Sequence, residues 1–190
     1  QLAHEAAPEA ARVRAVPATT AEDAGGVRVL MVPAAADDET GRLPFEQLIP
    51  PTDMLETVAA YLDRRRTIGA RVVVEPPAYQ GVTVVAVLRP RSWVDPARLQ
   101  TAATRELFHY LHPLSGGPDG DGWPFGRPVH MGEIFSVLQA LHGTELVEDV
   151  RLFAADPITG ERGQSTQRIE VAENALVFSY EHQVRVLERT

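Results

Sequence analysis

The sequence predicts an α+β fold, on three observations. Runs rich in β-branched and aliphatic residues at 27–33, 70–75, 82–88 and 145–154 read as strands. Apolar residues recur at helical spacing within 53–66, 95–112 and 134–142. From residue 27 the segments then follow as strand, helix, strand, strand, helix, helix, strand. With the third helix set aside, this is the βαββαβ order of a ferredoxin-like sandwich. An extra helix, a long Gly/Pro loop and a C-terminal β extension would complete it.

The expected domain is 27–154. Residues 1–26 read as the end of a preceding region and a linker, because Gln1-Leu2-Ala3-His4-Glu5-Ala6-Ala7 resembles the end of a helix already under way. Ala11-Arg12-Val13-Arg14-Ala15-Val16 alternates small or apolar residues with arginines, as a strand with one wet face does. Residues 17–26 form a polar connector. Val27-Arg28-Val29-Leu30-Met31-Val32-Pro33 is nearly apolar throughout and reads as a central strand, and 34–41 as an acidic surface loop.

The first clear helix follows Pro50-Pro51. Asp53 and Glu56 have capping-box spacing, and Leu55, Val58, Ala59 and Leu62 form one apolar stripe. Arg64, Arg65 and Arg66 close that helix, complementing its dipole, and Gly69 ends it. Residues 70–75 and 82–88 are expected to form a hairpin across Pro76-Pro77-Ala78-Tyr79-Gln80-Gly81. Asp95 before Pro96 caps the second helix, whose inner stripe is Leu99, Ala103, Leu107, Tyr110 and Leu111. Ile134, Val137, Leu138 and Leu141 mark the third helix. A strand at 145–154, a turn at 156–160 and one or two strands in 175–187 form the rest, so that 155–190 reads as a C-terminal β-hairpin extension.

Composition narrows the function. A formal net charge of -8 argues against a nucleic-acid surface as the main business. The absence of cysteine removes disulfides, thiolate metal sites and a cysteine nucleophile. No apolar run approaches the ~20 residues of a membrane helix, and residues 1–9 lack the basic start and apolar centre of a signal peptide.

Catalytic patterns are equally scarce. His109 and His112 share a helix face, but a metal would need a further ligand from His130, His142 or scattered carboxylates, so packing histidines are the simpler account. Asp119-Gly120-Asp121-Gly122 lacks the remaining oxygens of a calcium loop. No glycine run has dinucleotide or Walker spacing, no serine sits in a nucleophile elbow, and no Ser-His-Asp arrangement is apparent. Glu133 beside His130 is explained by the preference of a helix start for acid. The reading is therefore non-enzymatic, without cofactor or metal.

The most informative stretch is 113–134, where Gly116, Gly117, Gly120, Gly122 and Gly126 alternate with Pro118, Pro124 and Pro128 around Trp123 and Phe125. That density forbids regular structure and specifies a loop of fixed path. The two aromatics either fold back over the open end of the sandwich or, with Arg127, anchor a protein interface. Arg64, Arg65 and Arg66 form a second candidate contact cluster, or else a solvated helix end.

Leu111-His112-Pro113-Leu114-Ser115-Gly116-Gly117-Pro118-Asp119-Gly120-Asp121-Gly122-Trp123-Pro124-Phe125-Gly126-Arg127 resembles the signature of baseplate J-like proteins, the wedge subunits of contractile phage tails and contractile injection systems. Tyr61-Leu62-Asp63-Arg64-Arg65-Arg66-Thr67-Ile68-Gly69 and Val72-Val73-Val74-Glu75-Pro76-Pro77-Ala78-Tyr79 are similar to the family's helix and the end of its next strand. The resemblance implies the C-terminal portion of a structural subunit. It would touch other wedge subunits, the central spike and hub, and sheath-proximal proteins, assembling in the cytoplasm into a tail or tail-like particle. The competing expectation is a small-molecule-binding or hydrolytic α+β domain, with 113–130 as a lid over His109, His112 and His130.

Overall fold

The computed structural model describes residues 2–18, 26–67 and 69–188. The chain divides into two compact units, Gln1–Ala36 with Pro44–Ala78 and Asp37–Leu43 with Tyr79–Thr190.

In the first unit, β1 (Ala10–Pro17) pairs antiparallel with β2 (Val27–Pro33), and β3 (Val72–Glu75) adds parallel on the far side of β2. The apolar run of β2 thus lies in the middle of its sheet, as a strand buried on both faces must. α2 (Thr52–Asp63) joins β2 to β3 and turns Met54 and Val58 onto Val29 and Met31. α1 (Leu2–Ala6) adds Ala3 to the same cluster. The expected capping box is not formed. Pro51 stands at the N-cap without a side-chain bond, and the Asp53 carboxylate, already inside the first turn, accepts from the Met54 N–H at 3.0 Å. The connector at 17–26 falls largely outside the described residues.

The second unit is built on β4 (Ala78–Pro90), 13 residues long. β6 (Thr144–Ala155) runs antiparallel along one side, with β7 (Arg162–Thr166) beyond it. β10 (Gln183–Val186) runs parallel to Val85–Leu88, and β9 (Ala175–Ser179) also pairs with β4. α3 (Pro96–Tyr110) packs over β10, α4 (Met131–Ala140) over β6, and the two helices touch. Val82, Val84, Ala86 and Leu88 alternate along β4 into one core with Leu99, Ala103 and Leu107 of α3 and Ile134 and Leu138 of α4. The Asp95 cap forms as expected, its carboxylate accepting from the Ala97 N–H at 3.1 Å.

The α+β class holds, but the ferredoxin-like sheet does not. β2 and β3 belong to one sheet, β4 and β6 to another. Nor do 70–75 and 82–88 make a hairpin, since β3 pairs with β2 and β4 with β6. Pro76 and Pro77 account for this. Each fixes its own φ and biases the preceding residue towards extended backbone, which disfavours the tight turn a hairpin needs. β7 and the ribbon of β5 (Val129–His130) with β8 (Arg168–Ile169) are strands that polar or very short sequences did not announce. Among the described residues no helix is long and apolar enough to cross a membrane.

Candidate functional site

The loop from 111 to 128 is folded around two side chains, His112 and Trp123. α3 ends at Leu111, and the His112 ring, 4% exposed, turns inward. Its Nδ1 accepts from the Leu114 and Ser115 N–H groups and from the Ser115 hydroxyl, each at 3.0 Å. The remaining ring proton therefore sits on Nε2 and is donated to Asp37 Oδ1 at 2.8 Å. The His112 carbonyl in turn accepts from Gly116 and Trp123 N–H groups. One residue thus ties both ends of the glycine run to the end of α3.

Trp123 is fully buried, within the main core of the second unit. Its indole N–H donates to the Arg127 carbonyl at 2.9 Å, satisfying the one polar group a buried tryptophan carries. Tyr110 meets the ring edge-on at 5.6 Å, and the Arg127 guanidinium lies 4.9 Å above it. Arg127 is held from its other side by both carboxylate oxygens of Glu133. That carboxylate keeps the Arg127 guanidinium protonated beyond its ordinary range, while burial and the same carboxylate raise the Tyr110 hydroxyl. Glu133 also accepts from the His130 N–H at 3.4 Å, so the acid at the start of α4 serves helix and loop together.

The two aromatics turn inward. Trp123 and Phe125 are both buried in the chain, at 0% and 8% exposure. Arg127 is half-buried and committed to Trp123 and Glu133. The second cluster stays at the surface. Arg64, Arg65 and Arg66 are all exposed at the end of α2, Arg65 lying 3.6 Å over the Tyr61 ring and Arg66 pairing with Asp63.

The structure brings together what sequence did not show, an aspartate, a histidine and a serine. Asp37, His112 and Ser115 are linked in a line. The line does not serve hydrolysis. A general base must take the serine proton onto the nitrogen facing it. Here an imidazolium would point that new N–H at two backbone N–H donors. Of the three imidazoles, His109 is exposed on α3 while His112 lies inside the loop. Among the described residues no three His, Asp or Glu side chains converge as a metal would require.

Ser179 and His182 form a second such pair, 2.7 Å apart. His182 Nδ1 accepts from the Val84 N–H at 3.1 Å, so Nε2 carries the proton and faces Ser179 as a donor. Burial, reinforced by Arg162 and Arg42, lowers the imidazole from 6.5 to about 3. The folded state thus holds His182 neutral where the unfolded chain would protonate it. Its contribution to stability is complete above pH 6.5 and is lost as the pH falls towards 3, at up to about 1.4 kcal/mol per pH unit. Asp38 and Asp156, both lowered from 3.8 by hydrogen bonds, lose their contribution only below about pH 3.8, at the acid end of that range. Urea denaturation between pH 6.5 and 4.5 should therefore show a slope of about one proton that His182→Gln removes. An unchanged slope would mean that the ring is not held neutral.

No protein-family model matches the chain, nor does any curated protein. Its fold resembles a chain of the anti-feeding prophage baseplate. The likeness to that cryo-EM structure has a TM-score of 0.59 and covers 96% of this chain at 18% identity. It spans only 35% of the baseplate chain, so this chain corresponds to about a third of that protein's length. At such identity the likeness establishes fold, and it extends over both units.

Proposed function

We propose that the chain is part of a wedge subunit of the baseplate of a contractile tail or contractile injection system. It is a structural piece without catalysis or cofactor, acting through contacts with other wedge subunits, hub and spike, and sheath-proximal proteins. The observation that carries this reading is the fold likeness to a baseplate chain over nearly all of its length. The run from Leu111 to Arg127 supports it. The run that resembles baseplate J-like proteins includes residues that hold the loop together, His112, Gly116, Trp123 and Arg127. Assembly in the cytoplasm into a tail-like particle goes with the same reading.

The contacts then fall to outward groups. Exposed Arg64, Arg65 and Arg66 are one such group, in a chain whose net charge is -8. The full-length protein, co-expressed with its chromosomal neighbours, should give wedge or ring particles by light scattering and negative-stain microscopy. Replacing the three arginines by glutamine should cut incorporation at least tenfold while lowering the melting temperature by only a few degrees. A monodisperse monomer that joins no neighbour would end the baseplate reading.

A further inference from the structure

Residues 37–43 belong to the second unit, although the chain on either side of them lies in the first. This strap closes on itself. The Asp38 carboxylate accepts from the Thr40 and Arg42 N–H groups at 2.8 and 3.0 Å, and the Asp38 N–H donates to the Arg42 carbonyl. Residues 37–40 are exposed. The strap is fastened by buried Leu43, by Arg42, which lies over the Tyr180 ring and 3.8 Å from Glu181, and by the bond from Asp37 to His112. We propose that it is a clasp on the Gly/Pro loop. Asp37 is the positioning residue that selects the His112 tautomer on which the loop is built, so that strap and loop hold or let go together.

A neutral imidazole carries one proton, and the partner of one ring nitrogen sets the role of the other. With the proton on Nε2, Nδ1 is an acceptor, and it is there that the Leu114 N–H, the Ser115 N–H and the Ser115 hydroxyl converge. The other tautomer would turn an N–H towards two N–H donors, and the first turn of the loop would lose its seat. Asp37 Oδ1, at 2.8 Å, is the acceptor that favours the proton on Nε2, and among the described residues no other meets that nitrogen. The His112 side chain is 6% exposed, so without Asp37 its proton is a buried donor lacking an acceptor. The Asp37 side chain is 41% exposed, within reach of a contact made to the strap. Such a linkage is reciprocal. Docking the strap favours the tautomer that orders the loop, and the ordered loop favours the tautomer that docks the strap. A cationic group placed on the strap by a neighbour would compete with His112 for Asp37 and loosen the loop without touching it.

Nitrogen-15 NMR of the imidazoles and amide exchange, both on the full chain, test the clasp. In the parent, His112 should show the proton on Nε2 and an acceptor Nδ1. Asp37→Ala should speed exchange at Leu114 and Ser115 about tenfold or more, while Ala103 and Leu107 in the buried stripe of α3 keep their protection. Asp37→Asn, whose amide oxygen can accept the same proton, should restore both amides to within about threefold of the parent. Glu39→Ala, in the exposed part of the strap, should leave them unchanged. A parent His112 protonated on Nδ1 would overturn the clasp, and that result depends on no variant folding. Asp37→Ala that leaves Leu114 and Ser115 protected, or that speeds exchange equally throughout the unit, would overturn it too. The coupling does not rest on the proposed assembly role, so neither failure implies the other.

Discussion

Trp123→Ala is expected to destabilise the isolated chain by about 3–5 kcal/mol, the range for removing a large buried aromatic without full collapse of the space. For a chain of this size that lowers the melting temperature by roughly 10 °C. The indole is fully buried, and its loss leaves the Arg127 carbonyl without its donor and the guanidinium without the ring beneath it. Tyr110 loses its edge-on neighbour as well. Any failure of assembly in this variant should therefore follow the failure of the fold. A loss below about 1 kcal/mol by urea denaturation, with assembly still abolished, would return Trp123 to the role of a contact residue.

Gly116→Ala should be comparably damaging, although it adds one methyl group. A Cβ at this position would lie 2.1 Å from the His109 carbonyl oxygen, 2.7 Å from that of Tyr110 and 2.8 Å from the His112 nitrogen. All three are backbone atoms at the end of α3, so no side chain can swing aside. The loop would have to leave its seat, taking with it the bonds from Gly116 to His112 and from Gly122 to Gly116. The expected loss is about 3 kcal/mol or more. Gly132→Ala is the control, since a Cβ there meets nothing within 4 Å and the residue lies in α4, where alanine is preferred by roughly 1 kcal/mol. Thermal melts of the two variants should move in opposite directions. A Gly116→Ala protein as stable as its parent would refute the close seating of the loop.

Elements whose signals are local were legible in the sequence. Asp95-Pro96 announced α3, and the stripe of Leu99, Ala103 and Leu107 announced its buried face. The apolar run of β2 announced a central strand. Pairing was not legible, because periodicity says that a strand exists and not which strand lies beside it. Two β-branched runs flanking a proline pair looked like a hairpin, and only the ladders show that they serve different sheets. The loop was legible as a fixed path, yet its interior depends on contacts distant in sequence. Asp37 reaches His112 across 75 positions, and nothing near either residue points to the other. Trp123 beside Arg127 carried the composition of an interface and of a capped core residue alike, and its full burial was not legible in the sequence.

The central claim is that the loop works inside the fold while outward faces make the assembly contacts. Residue-resolved hydroxyl-radical footprinting, on the isolated chain and on the co-expressed particle, tests it most directly. Trp123 should be protected equally in both, while the Arg64, Arg65 and Arg66 segment should gain protection only in the particle. New protection at Trp123 on assembly, with the arginines unchanged, would contradict the account.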